Sequence, residues 1–454
     1  MLRARQRFLI LALITIVLAF STGDRATLSV AGSGMSKELG LSPVQMGWLF
    51  SSFAWAYVLA HVPAGWLVDR LGAKRTVLAG LVLWSACTML MGAAGWFASA
   101  FAALLVLRFL LGTFEAPVGP ASGRVIAAWF PSQERGVAGA IFNSAQYLSL
   151  ALFTPLMGWL DHMFGWEHVF SVMGALGLLL ALLWWRVYQV PHEHPKLTAE
   201  ELELMRSGGA LVDLPARGTG GADNASEAQA AAHPAPGILD LFRSRMLAGI
   251  FLAQYCITAI TWFFVSWFPT YLVKERGMSI LTAGFVASLP AIAGCVGGVL
   301  TGFVSDWLLK RTQSLTIARK VPITIGLMLT SVMIGCNYVD TDWIVVALMS
   351  LAFFGKGFGS LGWTVVADTA PKSMIGLTGG VFNAIGNTAG ITTPVVIGYI
   401  LATTGSFHQA LVFVGLHGVV AVASYWLLVG RIERFDPRRV SPALNEGQPR
   451  PSNP

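Results

Sequence analysis

Runs of about 20 predominantly apolar residues recur along the chain, each long enough to cross a bilayer as a helix. They fall near 8–31, 45–68, 76–95, 99–123, 138–160, 167–188, 246–272, 280–304, 321–339, 343–367, 377–401 and 409–430. Six runs, a polar break and six more predict an all-α membrane protein of twelve transmembrane helices in two six-helix bundles. The first bundle spans 1–188, a linker 189–245, the second bundle 246–430 and a tail 431–454. The linker opens with PHEHPKLTAEELELMRSGGALVD, in which Thr198–Met205 predicts a short surface helix with Thr198 as N-cap and Glu201 three residues on. Its second half, ARGTGGADNASEAQAAAHPAPG, has no hydrophobic period and reads as flexible.

The halves repeat. Gly65-x-x-x-Asp69 followed by Lys74–Arg75 returns as Gly302-x-x-x-Asp306 followed by Lys310–Arg311. Gly139-x-x-Phe142–Asn143 with Thr154–Pro155 returns as Gly379-x-x-Phe382–Asn383 with Thr393–Pro394, at offsets of 236–240 residues throughout. Two pseudo-symmetric six-helix halves form a transporter architecture whose site lies near the midplane between them. A channel, which needs a continuous pore, and a receptor both fit this repeat less well.

Composition agrees. The 454 residues are 55% hydrophobic and only 12% charged, with a mean hydropathy of +0.65, where a soluble globule carries about 25% charge. The first run follows a basic N-terminus like that of a signal peptide, but no small-x-small cleavage site follows it, so it reads as the first helix. The net charge of +7 does not point to nucleic acid, because its distribution is lopsided. Of 30 Lys and Arg, Lys37, Lys274 and Arg276 fall in outside loops, Arg25, Arg108 and Lys356 lie within spans, and the remaining 24 fall on one side. That bias places both termini in the cytoplasm. Cys87, Cys256, Cys295 and Cys336 sit in separate apolar runs with neither metal-ligand spacing nor a disulfide framework. His162, His168, His192 and His194 form no metal-ligand pattern, so neither a metal nor a cofactor is expected.

Residues 65–75, GWLVDRLGAKR, resemble the G-x-L-x-D-R-x-G-x-[KR]-R signature of the major facilitator superfamily. The resemblance covers Gly65, Asp69, Arg70, Gly72 and Arg75 and implies a charge-relay latch that holds the cytoplasmic face closed. A narrower resemblance covers nearly the whole chain. GDRATLSVAGSGM, WAYVLAHVPAGWL, RFLLGTFEAP, AAWFPSQERG, IFNSAQY, QYCITAITWFF, GMSILTAGFVAS, LAFFGKGFGSLGW and GGVFNAIGN are similar to the anion:cation symporter family, in its glucarate/galactarate permease branch. The chain departs from that pattern at His61, in a slot usually Gln, at Ala64, which replaces a Gly, and at Thr22, where many relatives carry an aromatic residue. The resemblance implies import of a sugar-acid anion, a hexarate such as D-glucarate or galactarate, together with protons across the bacterial inner membrane, by a monomer. Another cargo on the same fold, an aldonate, hexuronate or aromatic carboxylate, is the alternative. A membrane-embedded enzyme would need a catalytic constellation such as HExxH on facing helices, and the sequence has none.

The charges within spans mark the candidate site. An isolated charge at membrane depth costs roughly 2.5–3.5 kcal/mol even on lenient insertion scales, so Asp24 and Arg25 point either to a substrate pathway or to a self-neutralising pair at the interface. Arg25 suits a substrate carboxylate, because its planar fork bonds it bidentately; Asp24 is a plausible proton acceptor. Arg108, Gly112 and Glu115 fall at i, i+4 and i+7, on one face over about 10 Å. Pro117 and Pro120 loosen the helix just beyond Glu115. Burial penalises the charged form of such a carboxylate, which suits Glu115 to carrying a proton; a static Arg108–Glu115 ion pair is the plainer reading. Tyr57, Gln146, Gln254, Ser360 and Asn383 match the family's substrate-contacting positions, with Asn387 close by, and they offer hydroxyls and amides to a polyol chain. Ordinary interhelical hydrogen bonds would account for any single one of them. Trp262, Trp267 and Trp363 line the cavity or simply pack, and His61 either titrates or packs. Lys356, flanked by Gly355, Gly357 and Gly359, reads as a second substrate cation facing Arg25 from the other half, or as a Lys snorkelling to the surface or paired with Asp368.

Overall fold

The computed structural model describes residues 5–131, 134–212, 238–371 and 375–435. Among these, twelve helical spans are found, numbered α1 to α12. The first bundle comprises α1 (Arg5–Glu38), α2 (43–71), α3 (73–91), α4 (Ala100–Trp129), α5 (Arg135–Phe164) and α6 (Trp166–Val187). The second comprises α7 (Arg245–Ser266, continued by Phe268–Lys274), α8 (Ile280–Thr312), α9 (Leu315–Tyr338), α10 (Asp342–Thr369), α11 (Ile375–Thr404) and α12 (His408–Val429). Most helices outrun their apolar runs, because polar turns cap them. Ser42, Ser99, Ser244, Ser279 and Ser314 each precede a span and accept a hydrogen bond from a backbone N–H of its first turn.

Breaks occur where the backbone demands them. Gly72 has φ +81°, and there α2 ends and α3 begins with almost no loop. Pro117 interrupts α4 just after Glu115, and Trp267–Pro269 interrupts α7. The last turns of α9, Ser331–Tyr338, tighten into a 3₁₀ helix, which the apolar pattern does not reveal.

One face carries the start of α1, the α2–α3 junction and the α4–α5 loop, where Arg7 pairs with Glu134 at 3.0 Å. This is the basic face. The bundles meet toward the opposite face. A Cβ on Gly158 (α5) would lie 2.9 Å from Cα of Gly284 (α8), and one on Gly47 (α2) would lie 2.7 Å from the Pro394 carbonyl (α11). Ser29 donates to the Ser266 carbonyl at 2.5 Å, Ser51 to that of Ile391 at 2.8 Å, and the Trp267 indole to that of Pro394 at 3.1 Å. On the basic side the same four helices stand apart. A Cβ on Gly65, Gly139, Gly302 or Gly380 would meet nothing within 4 Å. The molecule is therefore shut at one face and open at the basic one.

The expected surface helix forms over Ala199–Ser207, with the Thr198 hydroxyl accepting from the Glu201 N–H at 3.2 Å. The linker up to Val212 lies against the first bundle. Met205 is fully buried, the Leu211 N–H donates to the Ala127 carbonyl at 2.9 Å, and Arg135 donates to the carbonyls of Ala127, Phe130 and Gly209 at 3.1, 3.2 and 2.6 Å. The second bundle is closed off in the same manner by the residues after α12. Arg434 donates to the carbonyls of Ala367 and Ala370 at 3.3 and 2.8 Å, and the Phe435 N–H to that of Thr369 at 2.7 Å. Ala127 and Phe130 stand 240 residues before Ala367 and Ala370, so one repeat position is capped twice, by different arginines. The flexible stretch expected in the linker's second half and most of the tail lie outside the described residues.

Candidate functional site

Four charges on two helices of the first bundle build the centre of the site. Arg25 projects from α1 onto α4, where its Nε donates to Glu115 Oε1 at 2.6 Å and its Nη2 stands 2.5 Å from the same oxygen in an ion pair. The Ser21 hydroxyl, one turn earlier on α1, donates to the same oxygen at 2.7 Å. Glu115 is fully buried, whereas the Arg25 side chain keeps 20% of its surface open. Its guanidinium lies 5.0 Å from the ring centres of both Phe53 and Tyr57 on α2, positions that fix a cation without neutralising it. α4 can come this close to α2 because Gly112 packs on the Phe53 backbone carbonyl, where any Cβ would collide.

Asp24, although adjacent in sequence, points the other way. Its Oδ2 accepts from the Thr88 hydroxyl of α3 at 2.6 Å, and the residue is fully buried. Arg108 sits between the two systems: its Nη2 donates to the Arg25 carbonyl at 2.8 Å, and its guanidinium lies 5.4 Å from the Phe53 ring. Neither the self-neutralising Asp24–Arg25 pair nor the static Arg108–Glu115 pair describes this arrangement. Among the described residues, Asp24 Oδ1, Glu115 Oε2 and Arg108 Nε and Nη1 are buried without a hydrogen-bond partner. Such a set is costly at rest and leaves valences for a proton or a rearranged ion pair.

The remaining candidates are divided between the two bundles. Tyr57 and His61 are one turn apart on α2, their rings 5.3 Å apart, and His61 Nδ1 is buried without a partner among the described residues. Gln146 is exposed on α5, one turn before Leu150. In the second bundle, Gln254 on α7 is half-buried, bonds Thr258 at 3.4 Å and lies beside Gly362 and Gly386. Asn383 on α11 accepts from the Asn387 amide at 3.1 Å, and Ser360 is exposed in a 3₁₀ turn of α10. Lys356, half-buried on α10, places Nζ 5.1 Å from the Phe353 ring. A small cavity between the bundles is lined by Ala26, Leu150 and Thr154 from the first and by Phe264, Ala287 and Phe353 from the second.

The tryptophans divide. Trp262 is buried against Gly390, Trp267 is part of the closed face, and Trp363 is half exposed, edge-on to Phe382. In the 65–75 segment, Asp69 bonds Arg124 of α4 at 3.1 Å, Arg70 lies over Trp66, and Arg75 is exposed. Sequence reasoning missed Ser21, Thr88 and Phe53. Ser21 carries a usable signal, since it stands four residues before Arg25 on the same helix face.

A family model described as the Major Facilitator Superfamily matches residues 14–391. The chain belongs to that superfamily. It is thus a transporter and not an enzyme. It is 51% identical over 441 residues to a probable galactarate/D-glucarate transporter, GudP, of Escherichia coli (strain K12), covering 97% of both chains. It is 53% identical over 430 residues to the probable galactarate/D-glucarate transporter GudP of Bacillus subtilis (strain 168), covering 94% of this chain and 93% of the relative. Among solved structures, the inward-facing, unoccupied form of a bacterial homologue of the human lysosomal transporter Spinster superposes with a TM-score of 0.72 at 18% identity. It covers 94% of this chain and 97% of that one.

Proposed function

We propose that the chain is a proton-coupled importer of sugar-acid anions, with hexarates such as D-glucarate and galactarate as cargo, working by alternating access. The observation that carries the reading is the sharing of one guanidinium. Arg25 keeps a fifth of its side-chain surface accessible while its Nε–H is held by Glu115 Oε1. A substrate carboxylate and the Glu115 carboxylate compete for that fork. A proton taken up by Glu115 removes one competitor, so proton and substrate bind together, which is the logic of symport. Asp24, with one oxygen on Thr88 and the other without a partner among the described residues, supplies a second proton position. Tyr57, Gln146, Gln254, Ser360 and Asn383 serve the hydroxyls of the sugar acid. Asp69, Arg70 and Arg75, with Gly65 and Gly72, serve the latch of the basic face in the alternate state. That face is cytoplasmic and carries both termini, and the protein lies in the bacterial inner membrane.

The names of the relatives support the cargo, and Arg25, a partly accessible cation suited to an anion, agrees with it. The test is uptake into proteoliposomes of glucarate, galactarate, galactonate and glucuronate side by side, with and without an inside-alkaline pH gradient. The two hexarates should accumulate and the gradient should drive them. Preferential accumulation of galactonate or glucuronate, or indifference to the gradient, would overturn the reading.

A further inference from the structure

We propose that Lys356 is the second carboxylate anchor, so that a dicarboxylate is held at one end by Arg25 of the first bundle and at the other by Lys356 of the second. This rests on the sugar-acid reading above and extends it to what distinguishes a diacid from a monoacid.

The backbone of α10 fixes where this lysine goes. Gly355 packs against Gly326 of α9, Gly357 against the Gly294 carbonyl and Gly298 N–H of α8, at 2.5 and 2.6 Å from an added Cβ, and Gly359 against Ile257 of α7. Three neighbouring helices thus take up the glycine faces of the segment. Lys356 leaves on the stripe it shares with Phe353, three residues before, and Ser360, four residues after. Phe353 lines the cavity between the bundles and Ser360 is exposed. The ammonium lies over the Phe353 ring at 5.1 Å, and Ala26, the residue next to Arg25, lines that same cavity from the first bundle. The helices that carry the two cations, α1 and α10, thus border one cavity from opposite bundles.

Charge makes the same point. The six apolar runs of the second half contain no Asp or Glu, and Lys356 is their sole Lys or Arg. In the first half, Asp24 and Glu115 balance Arg25 and Arg108. The five groups carry one net positive charge, and the excess comes from the second bundle. A monoacid gripped by Arg25 makes no use of it; a diacid does. Because the anchors sit on different bundles, an extended diacid also links the two halves, which a monoacid held at one end does not.

The experiment compares a hexarate with its own monoamide, a probe that keeps the polyol and removes one charge, in proteoliposomes of the full chain, scored by inhibition of glucarate counterflow. The unaltered protein should favour the diacid by tenfold or more. Lys356→Gln should lose most of that preference by weakening the diacid about tenfold while changing the monoamide less than threefold. Lys356→Arg, which keeps the charge in a different shape, should retain the preference and thereby separates charge from packing. Equal weakening of both ligands in Lys356→Gln, or an unchanged preference, would overturn the anchor, as would loss of preference in Lys356→Arg. Failure of the unaltered chain to exchange either ligand would instead overturn the transport reading, and the anchor with it.

Discussion

Glu115 Oε1 accepts from the Arg25 Nε–H and the Ser21 hydroxyl and pairs with the Arg25 charge, while Oε2 has no donor among the described residues. An arrangement so one-sided is set to change when a proton or a competing carboxylate arrives. Glu115→Gln keeps the shape and the hydrogen-bonding oxygen but cannot lose or gain the charge. It should abolish uphill, pH-driven accumulation while leaving substrate exchange largely intact, as a comparison of net uptake with counterflow will show. Arg25→Ala should lose binding itself, by about 1.5–3 kcal/mol, the range for a hydrogen bond to a charged partner. Full proton-driven accumulation in Glu115→Gln would pass the coupling role to Asp24 or His61.

Among the elements, α4 and α10 correspond in the repeat, and each carries a membrane-embedded charge of the site. Their ends at the basic face expose carbonyls that no helical partner satisfies. In the first bundle Arg135, at the start of α5, bonds Ala127 and Phe130 and is itself braced by the linker at Gly209. In the second, Arg434 arrives from the tail instead and bonds Ala367 and Ala370. Arg434→Ala should lower the thermal unfolding midpoint of the purified protein, with a loss of about 1 kcal/mol per hydrogen bond removed. Arg135→Ala, which loses three such bonds, should lower it further. An Arg434→Ala midpoint equal to that of the unaltered protein would refute a stabilising tail.

For the whole molecule, the closed contacts at Gly47, Gly158, Gly284 and Gly398 and the open glycines at the basic face describe one of two states that alternating access requires. Energetics constrain what crosses between them. Moving a dianion inward against an inside-negative potential costs roughly 4.6 kcal/mol at 100 mV, which would hold it about a thousandfold below equilibrium inside. Two protons cancel that cost, and Asp24 and Glu115 offer two positions. The five embedded charges then carry the same net charge empty as they do with a dianion and two protons aboard. At least two protons per hexarate are therefore expected, with no net inward negative current. A reversal-potential measurement giving one proton per hexarate would refute this.

Much of this protein was legible in the chain itself. Apolar length alone determined the spans, because an unsatisfied backbone cannot cross lipid and the helix is the local structure that satisfies it. The offset of 236–240 residues determined the two-bundle plan, and the cost of embedded charge singled out Asp24, Arg25, Arg108, Glu115 and Lys356. The pairing among those charges was a different matter. Adjacent Asp24 and Arg25 diverge to Thr88 and Glu115, 64 and 90 residues away, because neighbours on a helix point about 100° apart and helix packing sets which neighbour each one meets. The Gly112–Phe53 approach that brings Glu115 to Arg25 is a contact between helices, and no local pattern encodes it. Thr88 was hidden for the same reason. Hydroxyls in spans routinely bond their own helix, as Thr113, Ser122 and Thr154 do here, so the sequence marks none of them for a partner elsewhere. Span, repeat and charge are properties of the chain, whereas the choice of partner was settled only when twelve helices packed together.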